Sequence, residues 1–395
     1  MMVETKTHIH SWRDIFITFK MAFDPKKMFL GYVGLLISLL WCVMAVSFFS
    51  ALKIINVSPF FIIKIILSPM RENCPIHGSN FSSVVAGFSG GGFVVFVIIV
   101  LGLLAIWSLL GGAITRITAL DYARDENVRL MDAIKFARKK FWSFFWSPMI
   151  PFIGVFFFGL CNVIGGLIGR IPVLGELAVA LGFPFAFIAG LMMVFVGVIG
   201  VLGMCFMYPT ISAEGSDAFD AMSRAYSYVL SRPKQFCMYC GIYIVYGIIC
   251  LSIVAFSAWL VIHLSFCTVG FGMGEKFYAV KSYILQRCDI ACLGFCMKPV
   301  DKSQTAASVL GGWSLKFLAG MLIVYIFFIK LAVWNFLVNY VFSAKTVIYF
   351  LLRKEIDSTN FSDVYLEQSS QNELGSDNVQ DDNLKSISEN ARNDF

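Results

Sequence analysis

The sequence predicts an all-α fold, a polytopic membrane helix bundle with about six transmembrane helices and amphipathic helices on its inner face. Three observations predict it. Apolar runs of at least ~20 residues recur along the chain, and that length crosses a hydrocarbon core of ~30 Å. The chain is 58% hydrophobic and only 14% charged, against roughly 45–50% and about 25% in a water-soluble domain. Not one of the runs contains an Asp or Glu. A soluble protein of this composition would expose apolar patches and aggregate, whereas a bilayer accepts the same surface. The 40 phenylalanines suit lipid-facing and interfacial positions.

Each predicted span is an apolar run bounded by charge. The first is Met28 to Leu52, preceded by a polar and amphipathic lead over 1–27, and it reads as an uncleaved signal-anchor. The second is Phe93 to Ile114 and the third Pro148 to Gly169. The fourth, Leu177 to Tyr208, has 32 residues, about 48 Å as a helix and too long for one crossing. Pro184 within it predicts a short re-entrant or interfacial piece before the true span. The fifth is Phe236 to Leu264. The sixth is Leu315 to Tyr340, and its apolar continuation to Leu352 is expected to lie along the inner surface. A shorter run, Ile54 to Leu67, holds Lys64 and Pro59 and reads as interfacial or re-entrant. The transmembrane domain is thus 28–352. An acidic tail over 353–395 is expected to be disordered, because it is polar and its acids outnumber its bases.

Orientation follows from Lys and Arg in the short flanks. The lead 1–27, the 115–141 connection and the 210–235 connection hold five, seven and three of them. The alternate connections 53–92, 170–176 and 265–314 hold three, one and five. Fifteen against nine places both termini in the cytoplasm of an inner-membrane protein. The net charge of +6 gathers beside spans, so no nucleic-acid partner is expected.

An elbow repeats. Asp132-Ala133-Ile134-x-x-Ala137 leads to Lys139-Lys140-Phe141 and a span. Asp220-Ala221-Met222-x-x-Ala225 leads to Arg232-Pro233-Lys234-Gln235-Phe236 and a span. A looser copy starts at Asp14 and ends in Pro25-Lys26-Lys27-Met28-Phe29. Each reads as an amphipathic helix in the headgroup boundary followed by lipid-facing cations: Lys26, Lys27, Arg138, Lys139, Lys140, Arg232 and Lys234. Each such cation attracts anionic headgroups by roughly 1 kcal/mol. The elbows serve as topology anchors or as a gate or docking surface.

The segment Gly111-Gly112-Ala113-Ile114-Thr115-Arg116-Ile117-Thr118-Ala119-Leu120, with Ala123-Arg124-Asp125-Glu126 and Gly169-Arg170-Ile171-Pro172-Val173-Leu174-Gly175, resembles uncharacterised polytopic inner-membrane proteins of planctomycete-type bacteria. The stretch Ser216 to Phe236 is similar in style to broader bacterial families that set a polar Ser/Ala helix before a span. The resemblance covers residues 10–265. It implies an α-helical bundle and brings no assigned reaction and no functional residue.

Candidate chemistry is sparse. Lys330, inside the sixth run, costs at least ~2.5–3.5 kcal/mol at mid-bilayer. It serves an anionic substrate or headgroup, or it snorkels to the interface. Of eleven cysteines, Cys74, Cys267, Cys288, Cys292 and Cys296 fall in the outer connections as candidates for disulfides. The four-residue spacing of Cys288, Cys292 and Cys296 also sets three thiols on one helical face, a metal-ligand pattern without the tight spacing of zinc or iron–sulfur sites. Gly165-x-x-x-Gly169 and Gly190, Gly197, Gly200 and Gly203 predict close approach of the third and fourth helices. No Ser/His/Asp set, HExxH motif or paired intramembrane carboxylates occur, so neither an enzyme nor a cofactor is expected. The leading expectation is a non-enzymatic scaffold, assembly or membrane-organising component, partnered by the bilayer and by another membrane protein or a second copy. The alternative is a transporter or channel for an anionic or apolar solute.

Overall fold

A computed structural model describes residues 12–53, 91–172, 174–274 and 313–366, together with 277, 280 and 284. All regular elements among them are helical. A 3-10 turn, Trp12–Ile17, leads into α1 (Thr18–Ala22). There follow α2 (Pro25–Ala51), α3 (Gly91–Arg124), α4 (Leu130–Lys139), α5 (Phe141–Trp146) and α6 (Met149–Ile168). The remainder are α7 (Leu174–Glu214), α8 (Ala218–Ser231), α9 (Pro233–Met273) and α10 (Trp313–Asp357). Six of these, α2, α3, α6, α7, α9 and α10, are long and apolar enough to cross a membrane, as the sequence predicts.

The helix starts follow from local chemistry. Asp24 caps α2 by accepting from the Lys26 amide at 3.0 Å, and Pro25 and Pro233 open α2 and α9 where a missing N–H costs nothing. Asp132 and Asp220 sit in the first turns of α4 and α8, where a negative charge suits the helix dipole.

The spans form three antiparallel pairs. Trp41 of α2 lies on Gly102 of α3, with Gly34 against Trp107. In α6 and α7, Pro151 lies on Gly200. In α9 and α10, Gly247 faces Tyr340, and Ile262 and Phe266 share a cluster with Ala319 and Ile326. Helix α10 also packs on α2, α3 and α7 and is the hub. Of the most apolar stretch of each span, between 6% and 33% of the residues are buried, so most of that surface is left for lipid.

The helices continue beyond the length a bilayer needs. With 45 residues α10 is about 68 Å long, more than twice a ~30 Å core. The excess of α3, α7, α9 and α10 gathers with α1, α4, α5 and α8 into a close-packed base. Its core includes Phe206, Tyr228, Phe236, Tyr239 and Phe350. Both described ends of the chain belong to this base, through Ile15 and Val364.

Four expectations change. Pro184 lies within a continuous α7, so no separate re-entrant piece precedes the span; spanning helices tolerate proline where local adjustment satisfies the freed carbonyl. Residues 341–352 do not lie along a surface: Ser343, Ala344 and Thr346 to Leu352 are buried, with Lys345 between them half-buried, so this length of helix is packed into protein over most of its circumference. The apolar stripes of the elbows face protein rather than headgroups. Ala133, Phe136 and Ala137 of α4, and Ala221, Ala225, Tyr228 and Val229 of α8, are buried in the base. Ordered structure runs past 353 as well, since α10 ends at Asp357 and residues 358–366 cross the base as a strap. The rest of the tail, the 54–67 run, Cys74, Cys288, Cys292 and Cys296 lie outside the described residues.

Close approach is selective. A Cβ on Gly200 would stand 2.6 Å from Pro151 and one on Gly203 would stand 2.8 Å from Tyr226, whereas Gly165 and Gly190 meet nothing within 4 Å. A close polar approach is at Gly31. There the buried Asn335 donates to the Met28 carbonyl at 2.8 Å, and Asn339 donates to Asn335 Oδ1 at 2.9 Å. A Cβ on Gly31 would stand 2.1 Å from Asn335 Oδ1 and 2.8 Å from Asn339 Nδ2. Gly31→Ala should therefore destabilise by about 1–3 kcal/mol, the cost of overpacking, while Gly165→Ala should be neutral. Thermal unfolding of the two variants in detergent checks this, and equal midpoints would refute the packing.

Candidate functional site

The base is held by charges that have lost most of their water. Glu214 ends α7 with its side chain only 9% exposed. Its Oε1 accepts from the Tyr349 hydroxyl at 2.6 Å and faces Arg353 Nε at 3.3 Å. Its Oε2 approaches Arg224 Nη1 to 2.6 Å, an ion pair without hydrogen-bond alignment. Arg353 is as buried as Glu214, and its Nη1 donates to the Asp363 carbonyl at 2.8 Å. One carboxylate thus joins the end of α7, the middle of α8 and the last turns of α10, and Arg353 extends the join to the strap. The sequence folds this way locally because Gly215 takes φ +65 and stops α7 directly after Glu214. A side chain at Gly215 would also strike the Tyr365 ring, at 2.7 Å.

Arg116 of α3 makes the second join. It is 4% exposed. It donates to the Ser212 carbonyl and to the Tyr365 carbonyl, each at 2.6 Å, and its guanidinium stands 4.2 Å over the Phe136 ring. The Tyr365 amide donates to the Ala213 carbonyl at 2.8 Å, and Thr115 and Ser212 hydroxyls meet at 2.6 Å. Helices α3, α4 and α7 and the strap converge on one cation. A third join is Lys27 to Asp121 at 3.2 Å, between α2 and α3.

Tyrosine hydroxyls complete the arrangement. Tyr122 donates to Asp14 at 2.9 Å, Tyr239 to Glu355, and Tyr228 to Asp357. Burial, and then the hydrogen bond to Asp357, push the Tyr228 phenol well above its ordinary range.

Two openings lie beside these elements. A cleft of about 760 Å³ runs between the end of α3, α4 and the strap. Arg116, Arg124, Arg129 and Lys135 line it with Glu126 and Asp132, a basic excess at the base. Of these, Arg124 pairs with Glu126 at 2.9 Å and Lys135 with Asp132 at 3.8 Å. An apolar groove of about 380 Å³ separates the parts of α6 and α7 far from the base, with Asn162 on its wall.

The residues singled out from the sequence fall into two groups. Lys27 is fully buried on Asp121 and is not a lipid-facing cation, and Lys26 Nζ is held by Asn127 Oδ1 at 2.5 Å and the Val128 carbonyl at 2.6 Å. Both are drawn inward because the end of α3 supplies acceptors beside the start of α2. Arg138, Lys139, Arg232 and Lys234 are exposed at the elbows, and Lys140 faces Asp217 at 3.5 Å. Lys330 is half-buried on α10, five residues before Asn335. Cys267 Sγ lies 3.8 Å from His263 Nε2, one turn back on α9. Among the described residues no group of three or more His, Cys, Asp or Glu is placed to hold a metal. Sequence reasoning missed Glu214, Arg353, Arg116 and the Asn335–Asn339 pair. The surplus length of the apolar runs told of extended helices but not of which polar side chains they bury.

Family models, curated proteins and solved structures were compared with the chain, and none matches.

Glu214→Gln strands the Arg353 guanidinium in a buried site and should cost about 3–5 kcal/mol. Arg224→Ala removes a partner that is 46% exposed and should cost below about 1 kcal/mol. Denaturation of the two variants compares them directly. The pH dependence has a definite sign. The raised phenol means that Tyr228 stabilises the fold fully below the ordinary tyrosine pKa of ~10, and this contribution fades as pH climbs beyond it. Unfolding followed from pH 8 to 11 should show this alkaline loss, reduced in Tyr228→Phe.

Proposed function

We propose that the protein is a non-enzymatic, multi-pass scaffold or organising component of the cell (inner) membrane, with both termini in the cytoplasm. The observation that carries this reading is the contrast between the two halves of the molecule. The base is packed like a soluble core and pairs its buried Glu214 with cations, whereas the spans leave most of their apolar surface open. In lipid, helices gain no hydrophobic energy by meeting. A base that sets their directions therefore frees the lateral faces of three helix pairs for other membrane proteins or a second copy. Arg138, Lys139, Arg232 and Lys234 lie exposed at the base end, which supports a cytoplasmic base.

Transport of an anionic or apolar solute is the second reading, favoured by the basic cleft beside Arg116. Crosslinking in intact native membranes, followed by purification, separates the two. The scaffold reading expects a stable protein partner or homo-oligomer in constant proportion. Recovery of bare monomer, with solute flux in proteoliposomes, would replace it by the second. Orientation has its own test. A cysteine at Arg138→Cys should resist a membrane-impermeant maleimide added outside intact cells and react after lysis. Labelling from outside would invert the topology.

A further inference from the structure

Where the α6–α7 pair diverges from α3 and α10, a pocket of about 180 Å³ opens at the edge of the base. One wall is an aromatic stack: Trp107 lies on Phe342 at 5.8 Å between ring centres, and Phe342 on Tyr208 at 6.1 Å. Leu104, Met204 and Pro209 continue a mainly apolar lining, to which the Tyr208 hydroxyl, the Cys205 thiol and the side chain of Lys345 add polar groups. Lys345 is half-buried and has no hydrogen bond or ion pair among the described residues. This sets it apart from Lys26, Lys27 and Lys140, whose ammonium groups are all engaged. A half-buried lysine whose stem lies against aromatic and aliphatic walls suits an anion that brings an apolar body with it.

We propose that Lys345 binds the phosphate of an anionic phospholipid from the inner leaflet, with the start of one acyl chain against the Trp107–Phe342–Tyr208 wall. The leaflet assignment rests on the cytoplasmic placement of the base; binding itself does not depend on it. A lipid held there would fill the angle between the α6–α7 pair and α10 and join the two through a bound molecule rather than a protein contact.

Native mass spectrometry of the purified full chain, titrated with phosphatidylglycerol, tests the proposal. The wild type should retain one tightly held lipid. Lys345→Gln should hold it about fivefold more weakly, the ratio expected for one cation at an anionic surface. Lys345→Arg should restore retention, and Arg138→Gln, at the exposed elbow, should match the wild type. Unchanged retention in Lys345→Gln, or equal retention of phosphatidylcholine, overturns the proposal. A second measurement needs no variant. Amine-reactive footprinting of the wild type should show Lys345 protected severalfold in phosphatidylglycerol vesicles relative to phosphatidylcholine vesicles. Equal labelling overturns the proposal, as does protection by inorganic phosphate in phosphatidylcholine vesicles, which would make this a free-anion site.

Discussion

A carboxylate removed from water must keep its cations, and Glu214 sets this condition for the whole base. Breaking one such pair costs more than forming it gains, because the partner is left charged and dry. Glu214 can be satisfied only when α7 stops at Gly215, α8 turns back to present Arg224, and α10 is long enough to bring Tyr349 and Arg353 alongside. Those requirements fix where α7 ends and how α8 and α10 lie against it. Arg116 adds the same demand for α3 and the strap, through carbonyls rather than carboxylates. The base is thus specified by polar groups with few alternative partners, while its apolar core supplies most of the favourable area burial.

The membrane half obeys a different rule. Lipid chains solvate an apolar helix as well as another helix does, so contacts there depend on shape and on occasional polar groups. Trp41 on Gly102 and Pro151 on Gly200 are shape contacts between a large side chain and an absent one. Asn335 on the start of α2 is the polar kind. Such contacts pair neighbours without gathering all six spans into a solid bundle. Direction comes from below, because four of the spans are continuous with the helices of the base.

This division explains what was legible in the sequence. The number of spans, their approximate limits and the helical elbows were readable because hydrocarbon thickness and flanking charge leave direct marks on composition. The destination of the surplus length was not. A run such as 341–352 has the same apolar composition whether it lies on a membrane or inside a protein core, and here α3, α7 and α9 enclose it. The elbow stripes failed for the same reason: Ala221, Ala225 and Val229 make an apolar face without naming what covers it. Lys27 looked like its exposed counterparts because Asp121, its partner, lies 94 residues away. Charges at the ends of apolar runs read as solvated flanks, so Arg116, Glu214 and Arg353 carried no mark of their burial.

Helix α7 shows how the two halves are joined. Its membrane part pairs with α6, and its last turns carry Thr210, Ser212 and Glu214 into the base. Pro209 lies between the two parts and removes the N–H that would meet the Cys205 carbonyl, so the helix is weakened there. Helix α6 depends mainly on α7 for its neighbours. The direction of the α6–α7 pair is therefore decided within one helical turn, at Cys205 to Pro209. That turn also lines the pocket holding Lys345. A weak point in one of the helices joining base and bilayer thus coincides with a half-buried lysine that has no hydrogen bond or ion pair among the described residues. Whatever occupies that pocket bears on the angle of the pair, because the helix alone has one hydrogen bond fewer with which to hold it.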